Sequence, residues 1–213
     1  MRRLAVILAI PLALAAGADQ VTIQPDAAAG RDTFITNLYP NTNYGTLDYL
    51  GVGCNDSFHI DSLIRFSALD AYIGVRVDSA VLSLYISTVT GATPQDGYCA
   101  AVLDPWGELE VTWHGNPGRD NVWATDYEVY VEKVWINIDV TAIVADWLEN
   151  DRDNFGFCLY NRVDPERSHA FISSDYADDA YYHPKLILDY EPQTIEPASW
   201  GEIKNGRKLG ESR

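Results

Sequence analysis

Short runs of alternating apolar and polar residues recur along most of the chain, with turn-forming residues between them. DTFIT (32–36) is followed by LYPNTNYGT, a stretch full of Pro, Asn and Gly. LDYLGVG and HIDSLIRF then flank the polar CNDS. The longest run, VRVDSAVLSLYIST, alternates through Val77, Ala80, Leu82 and Leu84, with an irregularity near Asp78. Further strands are predicted at YCAAVL, EVTW, EKVWINIDV, FGFCLY, HAFISS and KLILDY. Side chains on a strand point alternately to its two faces, so each run presents one apolar face. Many such strands at regular spacing predict an all-β antiparallel sandwich.

One segment has a different period. In DVTAIVADWLEN, Val140, Ile143, Val144, Trp147 and Leu148 fall at i, i+3, i+4, i+7 and i+8, which predicts one short amphipathic α-helix over about 140–149. Asp139 or Thr141 is placed to accept an orphan amide at its start. A lone helix with one apolar face must lie against the sandwich, which makes Trp147 a core residue.

The two ends differ from the body. MRRLAVILAIPLALAAGADQ carries Arg2 and Arg3, an apolar run from Leu4 to Leu14, and the small-residue pattern Ala16-Gly17-Ala18. That order is the pattern of an export signal over 1–18, and it predicts a secreted or cell-surface protein. From Glu191 onward, EPQTIEPASWGEIKNGRKLGESR is poor in apolar residues and ends with four basic ones; it reads as a C-terminal tail over 191–213. The body, 19–190, is one domain, as the 213-residue length allows.

Charge narrows the partners. The formal net charge is -16, and -18 without Arg2 and Arg3. Nucleic acid and anionic lipid need basic patches, so neither is an expected partner, and no membrane insertion is expected after signal removal. Neutral glycans, or calcium-bridged ones, fit such a surface better than acidic ones. Three cysteines, Cys54, Cys99 and Cys158, have as their simplest arrangement one disulfide and one free thiol, with the pairing open.

The stretch DPWGELEVTWHGNPG (104–118) packs two Trp, two Glu and a His together. Glu108 and Glu110 on a strand would share a face at roughly 6.5–7 Å, within the separation of about 5–9.5 Å that glycosidases use. Glycosidase carboxylates flank the scissile bond from separate segments, however, whereas neighbours on one strand point in parallel. The stretch is therefore read as scaffold, with Trp113 the more buried of its two indoles. His59, His114, His169 and His183 are scattered singly and read as packing or surface residues. DRDNFG hints at a calcium loop, but Phe155 and Arg162 occupy positions an EF-hand gives to other residues.

The series RDTFI, YPNTNYGTLDYLGVG, SLIRFSAL, VDSAVLSLYI, PWGELEVTW, INIDVTAIVADWL, NFGFCLY, FISSD and PKLILDY follows the order of the DNRLRE domains, which the chain resembles from about Asp32 to Tyr190. These are grouped with a carbohydrate-binding module family whose characterised members bind polysaccharides such as alginate. The resemblance implies a jelly-roll-type sandwich that binds a polysaccharide or cell-surface glycan without catalysing a reaction and without a required cofactor. Jelly-roll sugar-binding modules often hold a structural calcium, for which Asp26, Asp32 and Asp175 are the candidates, with Asp178 and Asp179 behind them. A pyranose presents an apolar face to an aromatic ring while polar groups hold its hydroxyls. The candidate ligand residues are therefore Tyr39, Tyr44, Trp123, Tyr127, Tyr176, Tyr181 and Tyr182 in loops, with Arg119 and Arg162; Asn121 accompanies them. The alternatives are a structural or adhesive surface protein and, more weakly, a polysaccharide lyase or glycoside hydrolase. Oligomeric state stays open.

Overall fold

The computed structural model describes residues 18–150, 152–162 and 166–192. The expected signal, except Ala18, and the expected tail beyond residue 192 lie outside the described residues. Among the described residues, no helix is long and apolar enough to cross a membrane.

Eleven strands form the body: β1 (Asp19–Ile23), β2 (Arg31–Thr36), β3 (Tyr49–Cys54), β4 (His59–Arg65), β5 (Arg76–Thr90), β6 (Gln95–Val102), β7 (Arg119–Val129), β8 (Trp135–Asp139), β9 (Phe157–Tyr160), β10 (Arg167–Ile172) and β11 (Lys185–Glu191). All pairings are antiparallel, and the fold is an all-β sandwich. One layer runs β1-β11-β5, with β8 on the other side of β5. The second runs β5-β10-β3-β4-β9-β6-β7, with β2 also paired to β4. The long strand β5 belongs to both layers, through its first part to β11 and its last part to β10.

The alternating apolar residues meet between the layers. Leu82, Leu84, Leu186, Leu188 and Ile138 come from the first, and Leu50, Val52, Ile64, Phe157, Leu159 and Phe171 from the second. The helix α1 (Thr141–Glu149) adds Ile143, Val144, Trp147 and Leu148 to the same core, with Trp147 4.9 Å from the Phe157 ring. Val140 caps it without a side-chain bond, and Asp139 just upstream accepts the Thr141 amide at 3.0 Å. Hydrogen bonds from the Thr141 hydroxyl first, and from its amide, hold the Asp139 carboxyl below its ordinary range.

A second core lies on the other side of the β4-β9-β6 sheet. Ile35, Leu63, Ala100, Val102, Cys158 and Tyr160 are covered there by Trp106 and Val111 from the 103–118 connection. This corrects two expectations. EVTW is not a strand but part of a turn, in which the Glu110 and Val111 amides both donate to the Gly107 carbonyl. Trp106, not Trp113, is the buried indole: its Nε1 donates to the Phe155 carbonyl at 2.8 Å, while Trp113 is half-buried beside His59. Asn43 ties the turn down by donating to the carbonyls of Glu108 and Val111 at 2.7 and 2.8 Å. The stretch is scaffold.

Two strands escaped the sequence pattern. β1 and β7 end the strand order, and such edge strands need bury few residues. NVWATDYEVY, expected as a loop, lies mostly in β7, where Tyr127 is buried and opposes Gly97. A Cβ at Gly97 would run into the Tyr127 ring. Gly97→Ala is therefore expected to destabilise by about 1–3 kcal/mol through overpacking, measured as a lower urea midpoint with an unchanged m-value.

No disulfide joins the cysteines; all three are buried thiols, which corrects the expected pairing. Cys99 opposes Leu159, and Cys158 opposes Ala100 one position along. Successive residues point to opposite faces, so Cys99 enters the inter-layer core and Cys158 the covered one. Burial pushes the Cys158 thiol up to about 12, which keeps it protonated and unreactive.

Candidate functional site

The strand register builds a trough on β3, β10 and β5. Ala170 opposes Gly51 on one side and Thr88 on the other, and Ser168 opposes Gly53 and Thr90 in the same way. Directly opposed residues share a face, so on one face of the sheet Ala170 lies between Gly51 and Thr88, and Ser168 between Gly53 and Thr90. With no side chain at Gly51 and only a methyl at Ala170, this face holds a hollow of about 440 Å³, inside the range of about 300–1,000 Å³ common for ligand sites.

Its rim is aromatic. Tyr49 is 40% exposed, and its ring stacks on Phe34 at 5.5 Å, which in turn stacks on Tyr44 at 4.3 Å. Tyr176 lines the same hollow with Asp48. Partial burial and the neighbouring Asp178 and Asp48 raise the Tyr176 hydroxyl above its ordinary pKa, so it stays a hydrogen-bond donor. Ser87, Thr88, Thr90 and Ser168 bring hydroxyls, and among the described residues no Lys or Arg lines the hollow. One ring pinned from behind, a second ring, and hydroxyls over a small-residue floor suit the face and edges of a pyranose.

The expected ligand residues are distributed over several places. Tyr176 is at the trough. Tyr44 supports it from beneath through Phe34. Tyr127 is buried, with its hydroxyl 3.0 Å from His169 Nε2, so it is a core residue and not a ligand contact. Arg119 and Arg162 do come together, yet both bond Asp61 Oδ2, at 3.2 and 2.6 Å, and Asp61 is fully buried. Arg119 also covers the Tyr160 ring at 3.9 Å, and Tyr160 donates to Asn121 at 3.0 Å. A buried carboxylate needs such neutralisation, so these two cations have a structural task. Trp123, 47% exposed, lines a separate hollow of about 320 Å³ with Trp147 and Arg152. Tyr181 and Tyr182 gather with Tyr85 and Trp135, where Lys185 lies 4.2 Å from the Trp135 ring centre. Tyr39 is exposed.

Tyr49 was not among the expected residues. Its signal was present: Tyr49, Gly51 and Gly53 alternate in YLGVG and so share one strand face.

Residues 24–190, which hold every strand of the trough, match the sequence model of carbohydrate-binding module family 96. The chain belongs to that family. A search of curated proteins finds no match. Membership makes it a carbohydrate-binding module.

Glu108 Oε1 accepts the Asp32 amide at 2.7 Å, and Asp32 itself is only 2% exposed, so Glu108 serves as a hydrogen-bond acceptor for the start of β2. Of the expected metal set, Asp26 Oδ1 accepts the amides of Ala28 and Ala29 at 3.1 and 3.0 Å, and Asp32 Oδ2 accepts the Ser174 amide at 2.9 Å.

Proposed function

We propose that this module is a secreted, non-catalytic protein that holds a polysaccharide chain in the trough between Tyr49 and Tyr176. The observation carrying this is the hollow itself: sugar-sized, floored by Gly51 and Ala170, rimmed by two tyrosines and lined with hydroxyls. Tyr49 stacks on the apolar face of one sugar unit, and Tyr176 with the Ser and Thr hydroxyls holds its edge. The absence of cationic lining favours uncharged units. The motif series shared with DNRLRE domains supports a polysaccharide ligand, and a polyuronate reaching this trough would need a bridging cation beside Asp48.

Tyr49→Ala and Tyr176→Ala are each expected to weaken retention on a neutral polysaccharide gel about tenfold, the effect of one lost ring contact of about 1.5 kcal/mol. Affinity electrophoresis against neutral glucans and a polyuronate reads this directly. Unchanged mobility of both variants on a polymer that retards the parent would remove the trough from the account.

A structural or adhesive role draws on one observation. The strand β7 ends the sheet order and carries Val122, 70% exposed, beside Trp123. Such an edge is open to pairing with another strand. Concentration-dependent sedimentation that disappears in Val122→Lys would favour it.

A further inference from the structure

We propose that the trough selects a polysaccharide carrying protonated amino groups, and that Asp48 is the residue that reads them. The inference rests on the trough being the glycan site and adds the charge of its ligand.

The charge around the hollow has one sign. Asp48 lines it and is exposed, directly before Tyr49, whose ring is pinned from behind by Phe34. Among the described residues no ion pair neutralises the Asp48 carboxylate. Its backbone carbonyl accepts the Ser173 amide at 3.1 Å, which fixes the residue without engaging its side chain. The Tyr176 hydroxyl feels Asp178 and Asp48 together, so a second carboxylate stands at the same end.

Two histidines lie close without answering this charge. His183 is buried behind the rim, with its ring nitrogens on the Pro25 and Tyr176 carbonyls, and does not line the hollow. His169 opposes Val52, so its ring belongs to the inner face of the sheet, where burial holds it down to about 4 and leaves it uncharged at neutral pH. The whole chain adds to the field, with a formal net charge of -16. Such a surface concentrates cations and repels anions.

The chemistry of the rim fits an ammonium group. A sugar ring lying on Tyr49 gives its apolar face to the tyrosine and turns its substituents outward along the sheet. An ammonium in place of one hydroxyl gains a charge-assisted hydrogen bond to a carboxylate and attraction to the face of a tyrosine. Asp48 beside Tyr49, and Asp178 beside Tyr176, offer carboxylate and ring together. The Ser and Thr hydroxyls hold the other sugar hydroxyls without adding charge. The order of preference is therefore amine, then hydroxyl or acetamide, then carboxylate.

The test uses the full chain in mildly acidic buffer containing chelator, so that the amines are protonated and no metal ion bridges. Glucosamine hexamer, N-acetylglucosamine hexamer and cellohexaose share one backbone and differ only in the substituent on the second ring carbon. Calorimetry is expected to show glucosamine hexamer binding at least about fivefold tighter than cellohexaose, the size of one exposed ion pair, with the acetamide no tighter than the hydroxyl. In about 1 M sodium chloride, where screening acts within about 3 Å, that preference should vanish.

Asp48→Asn is expected to bring the ratio to about one while cellohexaose affinity stays within about twofold of the parent. Asp126→Asn makes the same charge change at an exposed position of β7, the far end of the strand order, and should keep the ratio. Equal affinity for the amine and hydroxyl hexamers, or no binding of glucosamine hexamer, would overturn the inference. So would a preference that survives Asp48→Asn, or one that Asp126→Asn also removes, since net charge alone would then explain it. Each of these outcomes leaves the trough in place provided Tyr49→Ala still weakens retention of a glycan that the parent binds. Tyr49→Ala binding every glycan like the parent would instead remove the trough reading, and this inference with it.

Discussion

Trp106→Ala is expected to cost about 3–5 kcal/mol, the largest loss from any single side chain of the covering stretch. The indole is 8% exposed and packs over Ile35, Leu63 and Val102. Removing it leaves a cavity above a sheet face and takes the Nε1 donor from the Phe155 carbonyl. The neighbouring turn contributes little apolar cover of its own besides Val111, so the surroundings cannot refill the space. Urea unfolding of Trp106→Ala and Trp113→Ala side by side checks this. The half-buried Trp113 should lose clearly less, and the reverse order would mean that the stretch is not anchored as described.

Acid should destabilise the fold through His169. Burial holds this imidazole down to about 4, against about 6.5 in an unfolded chain. Its hydrogen bonds agree with a neutral ring. Gln95 donates its amide to the Thr90 carbonyl, so its Oε1 accepts from Nδ1–H, while Nε2 accepts the Tyr127 hydroxyl. Below pH 6.5 the unfolded chain binds a proton there that the native state refuses. Stability is therefore lost as pH falls from about 6.5 to about 4, and the full difference is about 3 kcal/mol. The raised carboxyls of Asp32, Glu108 and Asp175 act in the opposite sense, adding relative stability as pH falls into their range. Comparing the parent with His169→Gln cancels those shared contributions. The stability difference between the two should shift toward the variant by about 3 kcal/mol between pH 7 and pH 4. Parallel pH profiles would place the His169 proton equilibrium elsewhere.

The inner strands were legible because their alternation is local. Leu82 and Leu84 in β5 and Leu186 and Leu188 in β11 mark one buried face each, and α1 begins within one residue of the period-based expectation. Edge strands were harder. In β7 the outward Val122 and Trp123 blur the alternation, so a strand reads as an aromatic loop. EVTW fails in the other direction: its strand-like residues are bent into a turn by Asn43 and the Phe155 carbonyl, both distant in sequence. The site divides in the same way. Tyr176, which lines the trough, could be picked out by residue type, but Arg119 and Arg162 could not be separated from ligand contacts until the buried Asp61 was found between them.

The sequence by itself determined which residues face inward on the inner strands, the helix at 141–149 and the acidic character of the chain. These follow from a two-residue or 3.6-residue period and from counted charge. Only the tertiary structure decided which strands are neighbours, that Ala170 lies between Gly51 and Thr88, and that Arg119 and Arg162 converge on the buried Asp61. Period is set by the sterics of adjacent residues, whereas pairing is chosen by competition among all the apolar faces of the chain for a common core.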